Sequence, residues 1–217
     1  MPDAGPIDAP FLSPMVVSTV PTDGATGVSR SAPITAMFDQ PIDATSVSTT
    51  TFVVTTAGGV QVPGTASLDG AMTTATFQPT SELPAGAMVT VQLTANIASV
   101  MGSAPLMPLT FTFTTIDDEA PTLVSSVPLA QAIGVPDAST IAITFSEPVM
   151  GVDTTSFAVS AVTPIAGSIA AGTGSTYTFT PTAALPAATV ITVTLSGAIS
   201  DLAGNSLLPV SFSFTTM

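Results

Sequence analysis

Carboxylates carry almost all the chemistry available to this 217-residue chain. It has 14 aspartates and glutamates, one basic residue (Arg30), and no histidine, cysteine or lysine. Without an imidazole, a thiol or a side-chain amine, it can assemble no Ser-His-Asp triad, Cys-His pair, Ser-Lys dyad or Schiff base. The same lack of lysine forbids a Lys-Asn isopeptide cross-link. Two kinds of carboxylate chemistry remain: an acid/base pair of the glycosidase type, and oxygen ligation of a hard cation such as calcium, which takes about 6–8 oxygens. Carboxylates at turns and strand ends are ordinarily just solvated, so no catalytic pair is assigned and the chain is expected not to be an enzyme.

The densest acidic run is Asp117-Asp118-Glu119, with Glu147, Asp153 and Asp201 further on. These six are the candidate calcium ligands, on the condition that their loops face one junction. The alternative reading is a hydrophilic linker whose carboxylates point into water. No cofactor is required on either reading, and calcium is the single candidate. A formal charge of -13 repels phosphate backbones and anionic lipid heads, which excludes nucleic acid and the membrane surface as electrostatic partners. Thr, Ser, Gly and Pro interrupt every apolar run well short of the roughly 18 residues that span a bilayer, so no direct membrane insertion is expected. Sugar recognition is poorly supplied, since there is no Trp and the one Tyr, Tyr177, falls in a strand-like run.

The elements that must position these groups are written twice. Pro14-Met15-Val16-Val17-Ser18-Thr19-Val20-Pro21 recurs as Pro121-Thr122-Leu123-Val124-Ser125-Ser126-Val127-Pro128, and Ile34-Thr35-Ala36-Met37-Phe38 recurs as Ile141-Ala142-Ile143-Thr144-Phe145. Thr76-Phe77-Gln78-Pro79-Thr80 answers Thr178-Phe179-Thr180-Pro181-Thr182, and Phe111-Thr112-Phe113 answers Phe212-Ser213-Phe214. Such ordered self-similarity marks a tandem repeat. Apolar residues alternate with Thr and Ser, as in Val89, Val91, Leu93 and Ile191, Val193, Leu195, which sets one face of each strand inward. About seven short strands per unit are predicted, with one helical turn near Thr80–Leu83 and its counterpart near Thr182–Leu185. Seven strands in about 100 residues is the expectation for a β-sandwich.

The predicted organisation is a Pro-rich segment at 1–13, a first domain at 14–115, an acidic linker at 116–120 and a second domain at 121–217. Although 20 residues are proline, 46% of the chain is hydrophobic, enough apolar surface to offset chain entropy. The start, Met1 to Gly5, has neither a basic nor an apolar signal region and reads as a mature form or an internal fragment. In the leading segment, Ile7, Phe11 and Leu12 are the candidates for a strand donated to a neighbouring sheet, limited by Pro2, Pro6 and Pro10, which each lack a backbone donor. Arg30 is expected to pair on the surface with a nearby carboxylate such as Asp23.

The opening proline-bounded strand, the Gly-Val turns, Ser146-Glu147-Pro148, and Asp201-Leu202-Ala203-Gly204-Asn205 before the last strand together resemble the bacterial immunoglobulin-like domain. The resemblance covers residues 14–216 and is closest in the second unit. In the first unit Asp39-Gln40-Pro41 and Val100-Met101-Gly102-Ser103 depart from it. It implies an all-β fold of two tandem immunoglobulin-like sandwiches, in a cell-surface or secreted bacterial protein such as an S-layer protein or adhesin. The implied role is a non-catalytic spacer or stalk. The alternatives are a self-assembling subunit of a filament or surface layer, with copies of itself or neighbouring Ig-like domains as partners, and an accessory module of a larger adhesin or secreted enzyme.

Overall fold

β-Branched residues at period two favour extended backbone with one row of side chains turned inward, and the chain folds accordingly. The computed structural model describes residues 13–100 and 106–217 and divides into two units between Asp117 and Asp118. Unit 1 holds β1 (Val16–Val20), β2 (Ala25–Val28), β3 (Ile34–Phe38), β4 (Phe52–Thr56), β5 (Val60–Gln61), β6 (Gly64–Leu68), β7 (Thr74–Pro79), β8 (Met88–Leu93) and β9 (Leu109–Thr115). Its sheets run β1-β3-β7-β6 and β2-β9-β8-β4-β5, with β2 and β9 parallel.

Unit 2 repeats the plan. It holds β10 (Leu123–Val127), β11 (Ile141–Phe145), β12 (Val149–Met150), β13 (Phe157–Ser160), β14 (Gly167–Ala171), β15 (Thr176–Pro181), β16 (Val190–Leu195), β17 (Ser200–Asp201) and β18 (Val210–Thr215). The sheets are β10-β11-β15-β14 and β13-β16-β18, with a small β12-β17 pair. A single parallel bridge from Val135 to Thr216 stands where unit 1 has the β2–β9 pair. Each unit is thus an immunoglobulin-like sandwich, as the alternation predicts.

The inward rows meet at one aromatic pair per unit. Phe52 and Phe77 pack with ring centroids 5.8 Å apart, and Phe157 and Phe179 at 5.9 Å. All four are essentially buried, and removing one such side chain from water stabilises by about 1.5–3 kcal/mol. Tyr177 is also a packing residue. Its ring meets Phe145 edge-on and its hydroxyl donates to the Val149 carbonyl at 2.8 Å.

The helical turns expected at Thr80–Leu83 and Thr182–Leu185 are absent, because other carbonyls take their backbone donors. Thr80 and Leu83 donate to Pro63 and Arg30, and Thr182 and Leu185 donate to Ala166 and Asp137. The short 3₁₀ turns lie instead at Ala44–Ser46 and Ala57–Gly59. Arg30 also departs from expectation. Its side chain is only 14% exposed, its Nε donates to the Leu83 carbonyl at 2.6 Å, and its guanidinium lies 3.9 Å from Glu82. Asp23 instead accepts from the Thr112 amide.

Comparing the two units exposes two strained turns in unit 2. Gly24 and Gln131 each donate a backbone hydrogen bond to the last strand of their unit, and Gly86 and Ala188 donate to Ile116 and Met217, just past its end. All four have positive φ: 74° and 64° for the first pair, 57° and 48° for the second. Left-handed backbone costs an L-residue about 1–2 kcal/mol, while glycine also frees the unfolded chain. Gln131→Gly and Ala188→Gly are therefore each expected to stabilise unit 2 by about 0.5–1 kcal/mol. Calorimetry should show the unit 2 transition rising while that of unit 1 stays in place.

Candidate functional site

The predicted ligands fall in both units. Asp117 closes unit 1, beside Gly86, and Asp118 opens unit 2. Asp118 and Glu119 are exposed, and the Glu119 carbonyl accepts from the Asn205 side chain at 3.2 Å. Glu147 is half-buried one residue before Pro148 and the short strand β12. Because β12 pairs with β17, with Val149 opposite Asp201, Glu147 and Asp201 come together with carboxylate oxygens within 4.8 Å. Unit 1 has Gln40 and Ser99 at the corresponding places, so this acidic pair belongs to unit 2 alone.

Asp201 is 1% exposed and is held by its own turn. Its Oδ1 accepts from the amides of Ala203 and Asn205 at 2.9 and 2.8 Å, and its Oδ2 accepts from the Asn205 side chain at 2.8 Å. Burial raises its pKa, but the bonds from the Asn205 side chain and amide, with those of Gly204 and Ala203, outweigh burial and leave the pKa below the ordinary carboxylate value. An anion fixed in this way is a brace for the Asp201–Asn205 turn. It is ionised at neutral pH and offers no proton to a substrate.

Asp153 serves a different turn. Its Oδ1 accepts from the hydroxyl and amide of Thr155 and from the amide of Ser156, at 2.6 to 2.9 Å. The Ser156 hydroxyl in turn donates to the Gly151 carbonyl. Unit 1 builds the same turn from neutral residues, with Ser48 for Asp153 and Thr51 for Ser156: Thr51 Oγ1 receives the Ser48 amide and donates to the Ser46 carbonyl. The two units therefore use this position for turn closure, and Asp153 is not among the carboxylates brought near Asp201. Sequence already carries the signal, since Asp-x-Thr-Ser is a side-chain-to-backbone turn pattern. Asp43 and Asp69 act similarly, accepting from Thr45 and from Thr73 and Thr74.

The Thr155 hydroxyl bond, followed by the amides of Ser156 and Thr155, lowers the Asp153 pKa to about 2. A depressed folded-state pKa gives stability that is complete above the unfolded value near 3.8 and is lost as pH falls toward 2. Unit 2 is accordingly expected to lose melting temperature between pH 4 and pH 2. Asp153→Asn, which keeps an acceptor oxygen but cannot titrate, should flatten that part of the curve in calorimetry at stepped pH.

The strand-donor candidates Ile7, Phe11 and Leu12 lie outside the described residues. Among the described residues no helix is long and apolar enough to cross a membrane.

The model of a family described as bacterial Ig-like domain matches residues 12–115 and again residues 117–216. No curated protein matches the chain. Several solved structures are similar to it. CopC from Methylosinus trichosporium is 16% identical with a TM-score of 0.40, over 49% of this chain and 96% of that one. The N-terminal part of the bacterial S-layer protein SbsC is 14% identical with a TM-score of 0.39, over 94% of this chain and 44% of that one. An I-band fragment of titin is 12% identical with a TM-score of 0.38, over 94% of this chain and 63% of that one.

Proposed function

The chain belongs to the bacterial Ig-like domain family, once in each unit, and from that membership we propose that it is a non-catalytic structural module, a spacer or stalk segment of a bacterial cell-surface or secreted protein. The observation that carries this reading is the use of its acids. Asp43, Asp69, Asp153 and Asp201 all close turns by accepting backbone amides, so these four carboxylates serve to hold loops. A parent adhesin or secreted enzyme would supply binding or catalysis elsewhere. In single-molecule stretching, a spacer of this design gives two successive unfolding events, each releasing about 300 Å of chain at roughly 3.3–3.6 Å per residue. One event of double length, or none at resistible force, would remove the reading.

Calcium enters this proposal as a stiffener at Glu147 and Asp201. A site of about 10⁻⁴ M affinity in about 1 mM calcium contributes about 1.4 kcal/mol, or about 6–11 °C in the melting of a domain of this size. Calcium against chelator should then shift the unit 2 transition alone, and Glu147→Gln should abolish the shift. Equal melting curves would limit the pair to bracing its turn.

A second reading, self-assembly into a filament or surface layer, is favoured by the sheet edges. The outer strands β1, β6, β10 and β14 contain no charged residue, whereas natural edges are commonly guarded by charge. Light scattering at high concentration separates the readings: a monomer supports the spacer, and growing assemblies support edge pairing.

A further inference from the structure

Methionine is among the residue types most often fully buried, yet every methionine among the described residues is exposed, from 39% at Met72 to 68% at Met107. Met150 and Met217 lie in unit 2, and the other five, Met15, Met37, Met72, Met88 and Met107, lie in unit 1. The repeat shows what the fold itself requires at those five places. The Met15 carbonyl accepts from the Asp39 amide and the Met15 amide donates to the Asp39 carboxylate, as Thr122 does with the amide and hydroxyl of Ser146. Met37 faces Thr74 across the ladder as Thr144 faces Thr176. Met72 and Gly174 share a left-handed turn position, with φ of 60° and 65°. Met88 faces Thr114 as Val190 faces Thr215. Met107 and Leu208 each follow a buried leucine, Leu106 and Leu207, that donates to the equivalent isoleucine.

Threonine and glycine suffice at three of these positions, so packing does not demand a thioether there. A thioether differs from them by being oxidisable, in a chain with no cysteine, histidine or tryptophan. Its sulfur lone pair attacks one oxygen of hydrogen peroxide; the O–O bond breaks, an S–O bond forms, sulfur loses two electrons, and the other oxygen leaves as hydroxide and takes up the proton of the attacked oxygen to become water. The sulfoxide is polar and disrupts cores, but on these surfaces it is already in water. Two of the sulfur-bearing residues, Met15 and Met107, also line one surface hollow with Val16, Pro108 and Leu109.

We propose that the exposed methionines of unit 1 form a sink for peroxide-class oxidants, carried on a sandwich whose fold survives their oxidation. This reading stands independently of the spacer role. The test treats the full chain with hydrogen peroxide and compares it with the five-fold variant M15T/M37T/M72G/M88V/M107L, which installs the unit 2 residues. Peptide mapping of the native protein should find an added oxygen at each of the five unit 1 methionines, and intact mass should show five fewer added oxygens in the variant. Calorimetry should keep the unit 1 transition of the oxidised chain, and methionine sulfoxide reductase should reverse the modification. With nine methionines against four, the natural chain should spare a peroxide-sensitive dye about twice as well as the variant. Oxidation that begins only after denaturation, collapse of the unit 1 transition on oxidation, or equal sparing of the dye by the two chains would each overturn the proposal.

Discussion

Phe179→Ala is expected to destabilise unit 2 by about 3–5 kcal/mol while leaving unit 1 untouched. The ring is 1% exposed and sits in β15, opposite Ile141 of β11 on one side and Ile169 of β14 on the other. Across the sandwich it meets Phe157. Removing it withdraws contacts from both sheets at once, and four strands fixed by their own ladders cannot collapse into the space. Phe77→Ala should do the same to unit 1, where Phe77 is opposite Ile34 and Ala66 and packs on Phe52. In calorimetry each substitution should move one transition down by about 10 °C or more and hold the other still. A loss under about 1 kcal/mol would mean that the aromatic pair does not hold the two sheets together.

These aromatic positions are legible in the sequence itself, because Thr-Phe-x-Pro-Thr occurs in both repeats and period two places the phenylalanine inward. The same regularity makes the fold class readable. Sequence does not supply the destination of hydrogen bonds that leave the strands. Proximity along the chain matches Arg30 to Asp23, whereas the Leu83 amide bonds to the Arg30 carbonyl and brings Glu82 within reach. Local spacing suggests helical turns, yet the donors of Thr80 and Leu83 serve Pro63 and Arg30. In each case a contact distant in sequence displaces a local one.

The candidate site shows the same division. Glu147 and Asp201, both among the predicted ligands, are brought together because the motifs that carry them flank two strands that pair. Asp153 shares only their charge. Its counterpart in the first repeat, the neutral Ser48, holds the equivalent turn, and Asp153 is not among the carboxylates brought near Asp201. Capping needs only a short acceptor, whereas cation binding needs charge and several converging oxygens.

Gly167→Ala is the second large effect expected, through a crowding that neither composition nor periodicity announces. A Cβ at Gly167 would fall among the ring atoms of Phe179, and one at Gly64 would meet Phe77 and the Gln78 carbonyl. The glycine opens each outer strand, β14 or β6, and leaves room for the ring to lie close against it. To admit a methyl group the ring must tilt away and disturb its contact with Phe157. Overpacking of this kind costs about 1–3 kcal/mol, and the upper end is expected because the backbone on one side and the second sheet on the other both resist. The clash and the ring are one feature, so their substitutions should not add. In Gly167→Ala combined with Phe179→Leu, the smaller side chain makes room for the methyl, and the double variant should be more stable than the summed losses by about 1 kcal/mol or more. Denaturant titration of the two single variants and the double would measure this coupling. Strict additivity would show that the glycine is kept for its backbone freedom and not for the ring above it.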